Sequence, residues 1–142
     1  MRDLYSNSVL DLAANIPHIG RLAKPDATGH KVSRICGSEI VLDLMLNKDR
    51  KITQIGLEVK ACALGQASTS IFSSNALGAD ITDILNGRNA LETILQGIEF
   101  NPTGRFSDLS MFAPVAPYRQ RHSSIFLVFD AAFEALKFIS QD

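Results

Sequence analysis

Val59-Lys60-Ala61-Cys62-Ala63-Leu64-Gly65-Gln66-Ala67-Ser68-Thr69-Ser70 is the stretch on which the fold turns. It begins as the end of an apolar strand, sets a cysteine at the tip and runs on into small residues. Small side chains at a helix start let backbone come close to whatever the thiol holds. A thiol just ahead of that start lies near the positive end of the helix dipole. That position favours thiolate, the form that binds metal or accepts sulfur. Cys62 is therefore the candidate chemical centre. The competing reading is a buried structural cysteine, since free Cys is among the most buried residue types. On this stretch alone both readings stand.

Working outward, Ile40, Leu42, Leu44 and Leu46 alternate with Val41, Asp43 and Met45, a period-two strand pattern over 39–46. Residues 51–60 repeat it, with Ile55, Leu57 and Val59 on one face, and Asn47-Lys48-Asp49-Arg50 between them is a polar turn. Two such runs form a hairpin. With Leu46 opposite Lys51, Cys36 falls opposite Ala61, beside Cys62. Facing residues have Cβ atoms about 5 Å apart, so the hairpin is expected to deliver both cysteines to its open end. A bulge at Gly37 would change the partner and keep the neighbourhood. The alternatives are coincidence or a disulfide, and a reducing cytosol disfavours the disulfide. Two close thiols at a loop-rich end read as ligands for a soft metal or cluster.

The remaining segments are expected as follows. Residues 4–16 form a helix with Val9, Leu10, Leu12 and Ala13 on its apolar side, ended by Pro17. Residues 17–30 form a mobile loop carrying His18 and His30, and 31–35 a short strand. A helix over 66–76 follows Cys62. Residues 79–85 make a helical turn capped by Asp80 and stopped by Asn86-Gly87, and Asn89 caps the next helix. Residues 100–118 form a long loop anchored by Met111 and Phe112. A last helix runs from Ser123 or Ser124 to 139, with Asp130, Glu134, Lys137 and Gln141 on a solvated strip. Its entrance, Arg119-Gln120-Arg121-His122-Ser123-Ser124, sets cations beside a helix N-terminus, which suits an anion or thiolate; the alternative is an exposed basic turn.

The chain has 142 residues, a net charge of −1 and 46% hydrophobic residues, which suits one domain, 1–142, with a real core. No basic run is long enough for a nucleic-acid patch, and no apolar run is long enough to span a membrane. The N-terminus lacks the apolar segment of a signal peptide. Two cysteines make no secreted disulfide framework. The expectation is a soluble cytoplasmic protein with reduced thiols.

These residues resemble the NifU-like family of IscU/SufU iron–sulfur cluster scaffold domains along nearly the whole chain. Leu4-Tyr5-Ser6 and Val9-Leu10-Asp11 resemble its opening helix. Cys36-Gly37 resembles its Cys-Gly-Asp motif, and Cys62 with Ala67-Ser68-Thr69-Ser70 its Gly-Cys…Ala-Ser-Ala-Ser motif. The stretch from Val115 to Ala131, with Tyr118, Arg121, Leu127 and Phe129, resembles the segment around its third cysteine. The resemblance implies an α+β fold, a small antiparallel sheet of about three strands with helices packed on one face. It implies a non-enzymatic scaffold or carrier for iron or a transient iron–sulfur cluster, with a cysteine desulfurase and acceptor apo-proteins as partners. Carried over, Cys36 and Cys62 match the first two cysteines. Ser38 stands where the motif has aspartate. The third cysteine falls on Ser124, or, in a register shifted by one, on Ser123 with His122 on the family's histidine. The implied site is Cys36, Cys62, His122 and Ser124, with the first three as metal ligands and Glu39, His18 or His30 as the fourth. Loss of the third cysteine implies an alternative, a zinc-binding interaction domain or a sulfur acceptor using Cys62. A Cys62–His122 thiol-enzyme dyad ranks last, because such pairs arise by chance.

Overall fold

The computed structural model describes residues 6–139. The expected start of the first helix at Leu4, the Leu4-Tyr5 part of the opening motif and Gln141 lie outside them. The element order is α1 (Asn7–Ala14), β1 (Ala27–Ser33), β2 (Ser38–Leu46), β3 (Ile52–Lys60), α2 (Ala63–Asn75), α3 (Ile81–Leu95), a 3₁₀ segment (Gly104–Val115), a 3₁₀ turn (Arg119–Arg121) and α4 (His122–Ile139). The sheet is antiparallel in the order β1-β2-β3, so the α+β architecture is as expected. Ile40, Leu42, Leu44, Ile55 and Leu57 turn to the helices and are buried, as the period-two pattern requires. Among the described residues no helix is long and apolar enough to cross a membrane.

The hairpin forms in a register two residues away from the expected one. Glu39 pairs with Lys60 and Met45 with Gln54, and an irregularity between Met45 and Leu46 sets Leu46 opposite Ile52. The cause is the turn: the Asn47 side chain accepts from the N–H groups of Asp49 and Lys51, and Arg50 takes a left-handed φ of 63°. A shift of two keeps each side chain on its face, so the alternation marks the buried residues in either register. It also means that Cys36 does not pair with Ala61. β2 begins at Ser38 and Cys36 lies in the turn before it.

β1 starts four residues before the expected strand, inside the segment read as a mobile loop. Its inward positions are Ala27, Gly29, Lys31 and Ser33, of which only the small Ala27 is apolar. Glycine stands at 29 because α4 lies directly on it: an added Cβ would come within 1.9 Å of the Ala131 carbonyl oxygen. Residues 17–26 are tied down as well. Gly20 exchanges backbone hydrogen bonds with Leu57 at 2.7 and 2.8 Å. Asp43, fully buried on the outer face, takes the Arg21 guanidinium at 2.6 and 3.1 Å, the Leu22 N–H at 3.1 Å and the Thr28 hydroxyl at 2.6 Å.

α3 runs through Asn86-Gly87 without a stop, from an Asp80–Asp83 capping box. Gly87 is a close-packing position rather than a terminator. A Cβ there would meet Phe106 at 2.8 Å and Phe129 at 2.9 Å, and those rings pack on each other and on Phe72. Gly87→Ala gains roughly 1 kcal/mol of helix propensity but crowds a packed three-ring cluster. A net loss of about 1–2 kcal/mol in denaturant unfolding is expected. A stabilised variant would show that the rings do yield.

The long loop is also overturned. Residues 104–115 coil as 3₁₀ helix and bury Phe106, Leu109, Phe112 and Val115, with Met111 only half-buried. The solvated strip on α4 is engaged: Asp130 pairs with Arg88 at 2.6 Å and Glu134 with Lys31 at 2.8 Å, tying α4 to α3 and β1.

Candidate functional site

The turn between β1 and β2 presents the first thiol. Gly37, at φ +72°, donates its N–H to the Ser33 carbonyl at 2.8 Å, a tight conformation cheap only for glycine. The turn pushes Ile35 (73% exposed) and Cys36 outward. Cys36 Sγ lies 3.4 Å from Ser33 Oγ and 3.1 Å from Ser38 Oγ. Burial pushes this thiol up, but hydrogen bonds from Ser33, from the hydroxyl and backbone of Ser38 and from Ser123 outweigh it and bring the pKa down to about 7.

Cys62 is the N-cap residue of α2, with extended backbone (φ −69°, ψ 172°) and no capping hydrogen bond from its side chain. The thiol is thus free of helix-capping duty. It meets Ser124 Oγ at 3.4 Å, and Ser124 Oγ donates to the Arg121 carbonyl at 3.2 Å. The small residues of α2 explain this approach. A Cβ on Gly65 would come within 3.2 Å of Ser124 Cβ and of its carbonyl oxygen, and Ser68 Oγ donates to the Ile125 carbonyl at 2.6 Å. What the small-residue helix start admits is the first turn of α4.

Ile35, Cys36, Cys62, Gln120, Arg121 and Ser124 line one cavity of about 190 Å³. Larger hollows of about 500 and 520 Å³, along β1 and α4 and on the outer sheet face, hold neither cysteine. The helix entrance read as basic therefore contributes Arg121 beside both thiols. Ser123 Oγ lies 2.7 Å from Ser33 Oγ, so each serine that stands for a third cysteine touches the thiol network. Sequence reading missed Ser33, whose only signal was its place on the inward side of β1.

His122 is not in the cavity lining, and its Nε2 is hydrogen-bonded to the Val115 carbonyl at 3.0 Å. The fourth-ligand candidates lie elsewhere. His30 and Glu39 pair with each other at 2.5 Å across β1 and β2, and His18 is exposed at a left-handed φ of 70°. Among the described residues no three His, Cys, Asp or Glu side chains group so as to hold a metal ion. The donor set fits a thiophilic cargo through two soft sulfur ligands in one cavity, with hydroxyls and a cation around them.

The chain is similar to known proteins along nearly its whole length. An iron–sulfur cluster assembly scaffold protein IscU from Thermotoga maritima is 28% identical over 142 residues, 97% of this chain and 96% of that protein. The crystal structure of a nitrogen-fixing NifU-like protein (N-terminal) from Brucella abortus matches with a TM-score of 0.93 at 38% identity, over 99% of this chain and 96% of that one. The pattern described as the NifU-like N terminal domain matches residues 4–124. With the fold, the two convergent cysteines and these similarities together, the chain belongs to the NifU-like N-terminal domain family.

Proposed function

We propose that this protein is an iron–sulfur cluster assembly scaffold or carrier that holds iron or a transient cluster through Cys36 and Cys62. The observation that carries the reading is the single cavity lined by both thiols, one in a turn and one at a helix N-terminus. Thiolate is the ligating form, and the hydrogen bonds from Ser33, Ser38 and Ser123 favour it at Cys36. Arg121 offsets the negative charge that thiolates and sulfide bring. Ser124 closes the cavity next to Cys62 but is a poor ligand at neutral pH. His122 joins as a third ligand by releasing the Val115 carbonyl. A site short of protein ligands suits a cargo that is passed on. A cysteine desulfurase supplies the sulfur and apo-proteins receive the cluster, in the cytoplasm, where free thiols stay reduced.

Anaerobic reconstitution with ferric iron and sulfide is expected to give visible charge-transfer absorbance, and Cys62→Ser to abolish it. A colourless wild type overturns the reading. The serine beside Cys62 where the resemblance implies a third cysteine favours a second reading, a zinc-bound interaction domain or a sulfur acceptor. Stoichiometric zinc without iron in protein purified from cells, or persulfide confined to Cys62, would select it.

A further inference from the structure

Three serine side chains next to the two thiols are buried: Ser33 (6% exposed), Ser38 (2%) and Ser124 (1%). Buried hydroxyls are costly unless hydrogen-bonded, and each of these has a cysteine sulfur within 3.4 Å. We propose that Ser33, Ser38 and Ser124 are positioning residues that donate hydrogen bonds to the iron-bound sulfurs of Cys36 and Cys62 and so raise the reduction potential of the cluster. This rests on the cluster-holding role proposed above.

Counting hydrogens supports it. A hydroxyl carries one proton, and an iron-bound sulfur carries none and only accepts. With the thiols protonated, Cys36 donates to Ser33, and Ser124 donates to the Arg121 carbonyl. Once iron replaces the thiol protons, Ser38 and Ser33 turn their hydrogens onto Cys36. Ser123, 2.7 Å from Ser33 Oγ, donates to Ser33 in turn. Ser124 turns from the Arg121 carbonyl to Cys62. Each of these serine switches is a hydroxyl rotation, so the donors are pre-organised. Hydrogen bonds to cluster sulfurs withdraw negative charge and favour the reduced, more negative cluster.

The test is a redox titration of the reconstituted protein, followed by its visible absorbance. Ser33→Ala, Ser38→Ala and Ser124→Ala should each lower the midpoint potential. Ser38→Ala, which loses the shortest contact, should move it most, by about a tenfold change in the oxidised-to-reduced ratio at fixed potential, 59 mV for a one-electron couple. Ser38→Thr, which keeps the hydroxyl, should restore the wild-type value. Potentials unmoved or raised in the alanine variants overturn the proposal and leave the scaffold reading intact. A colourless wild type overturns both. If an alanine variant takes up no cluster, resonance Raman of the wild type in D₂O reads the same bonds. Iron–sulfur stretches shifted by deuterium support the proposal, and unshifted ones overturn it.

Discussion

Gly29→Ala adds one methyl group where none fits, and the expected result is a loss of at least about 3 kcal/mol of stability. The new carbon would sit 1.9 Å from the Ala131 carbonyl oxygen and 2.7 Å from its carbon. Both are backbone of a central helix, so no side chain can swing aside. β1 and α4 must separate. That separation strains the Lys31–Glu134 ion pair at 2.8 Å and the Ser33–Ser123 contact at 2.7 Å, which tie the same two elements. The site loses its frame along with the fold, because Ser33 touches Cys36 and the start of α4 touches Cys62. Urea unfolding should show a lower midpoint at unchanged slope. Iodoacetamide should alkylate the folded variant's cysteines faster than the wild type's. A midpoint equal to the wild type's would show that α4 does not bear on β1 as described.

Asp43→Ala is expected to cost roughly 2 kcal/mol, about one for each of the hydrogen bonds from the Leu22 N–H and the Thr28 hydroxyl. The Arg21 contribution is discounted, since that side chain is 45% exposed and screened by water. The pH dependence has a definite sign. Burial pushes the Asp43 carboxyl up, but hydrogen bonds from Arg21, Thr28 and the Leu22 N–H, with the charge of Arg21, hold it below the usual carboxylate range. A group depressed in the folded state adds stability that is complete above its unfolded value, near 4, and is lost as pH falls through the folded value. Wild-type stability should therefore fall more steeply below about pH 4 than that of Asp43→Asn. Denaturant midpoints measured across that range check it, and parallel acid limbs would rule Asp43 out as the cause.

The sheet and the core were legible because β2 and β3 announce themselves by alternation. Even a two-residue error in their register left Ile40, Leu42, Leu44, Ile55 and Leu57 on the buried face. β1 was cut short because close approach of α4 replaces apolar side chains with Gly29 and Ser33, and pattern reading sees only side chains. Gly87 misled for the same reason: a glycine that makes room for two rings looks, in sequence, like a glycine that ends a helix. The Gly104–Val115 segment has no period because 3₁₀ coiling with Pro114 inside it breaks the 3.6-residue spacing.

By itself the sequence determined the strand–cysteine–helix junction at Cys62, the second thiol at Cys36 and the serines that stand in the place of a third. These follow from residue identity and local periodicity, which do not depend on distant contacts. Only the tertiary structure decided which groups meet those sulfurs. Ser33 and Ser38 reach Cys36 because the Gly37 turn closes. Ser124 reaches Cys62 because Gly65 lets α4 settle on α2, and His122 turns to the Val115 carbonyl instead. The physical reason is that a thiol's neighbours are set by how closely two backbones approach, and that distance is fixed by side chains that are missing.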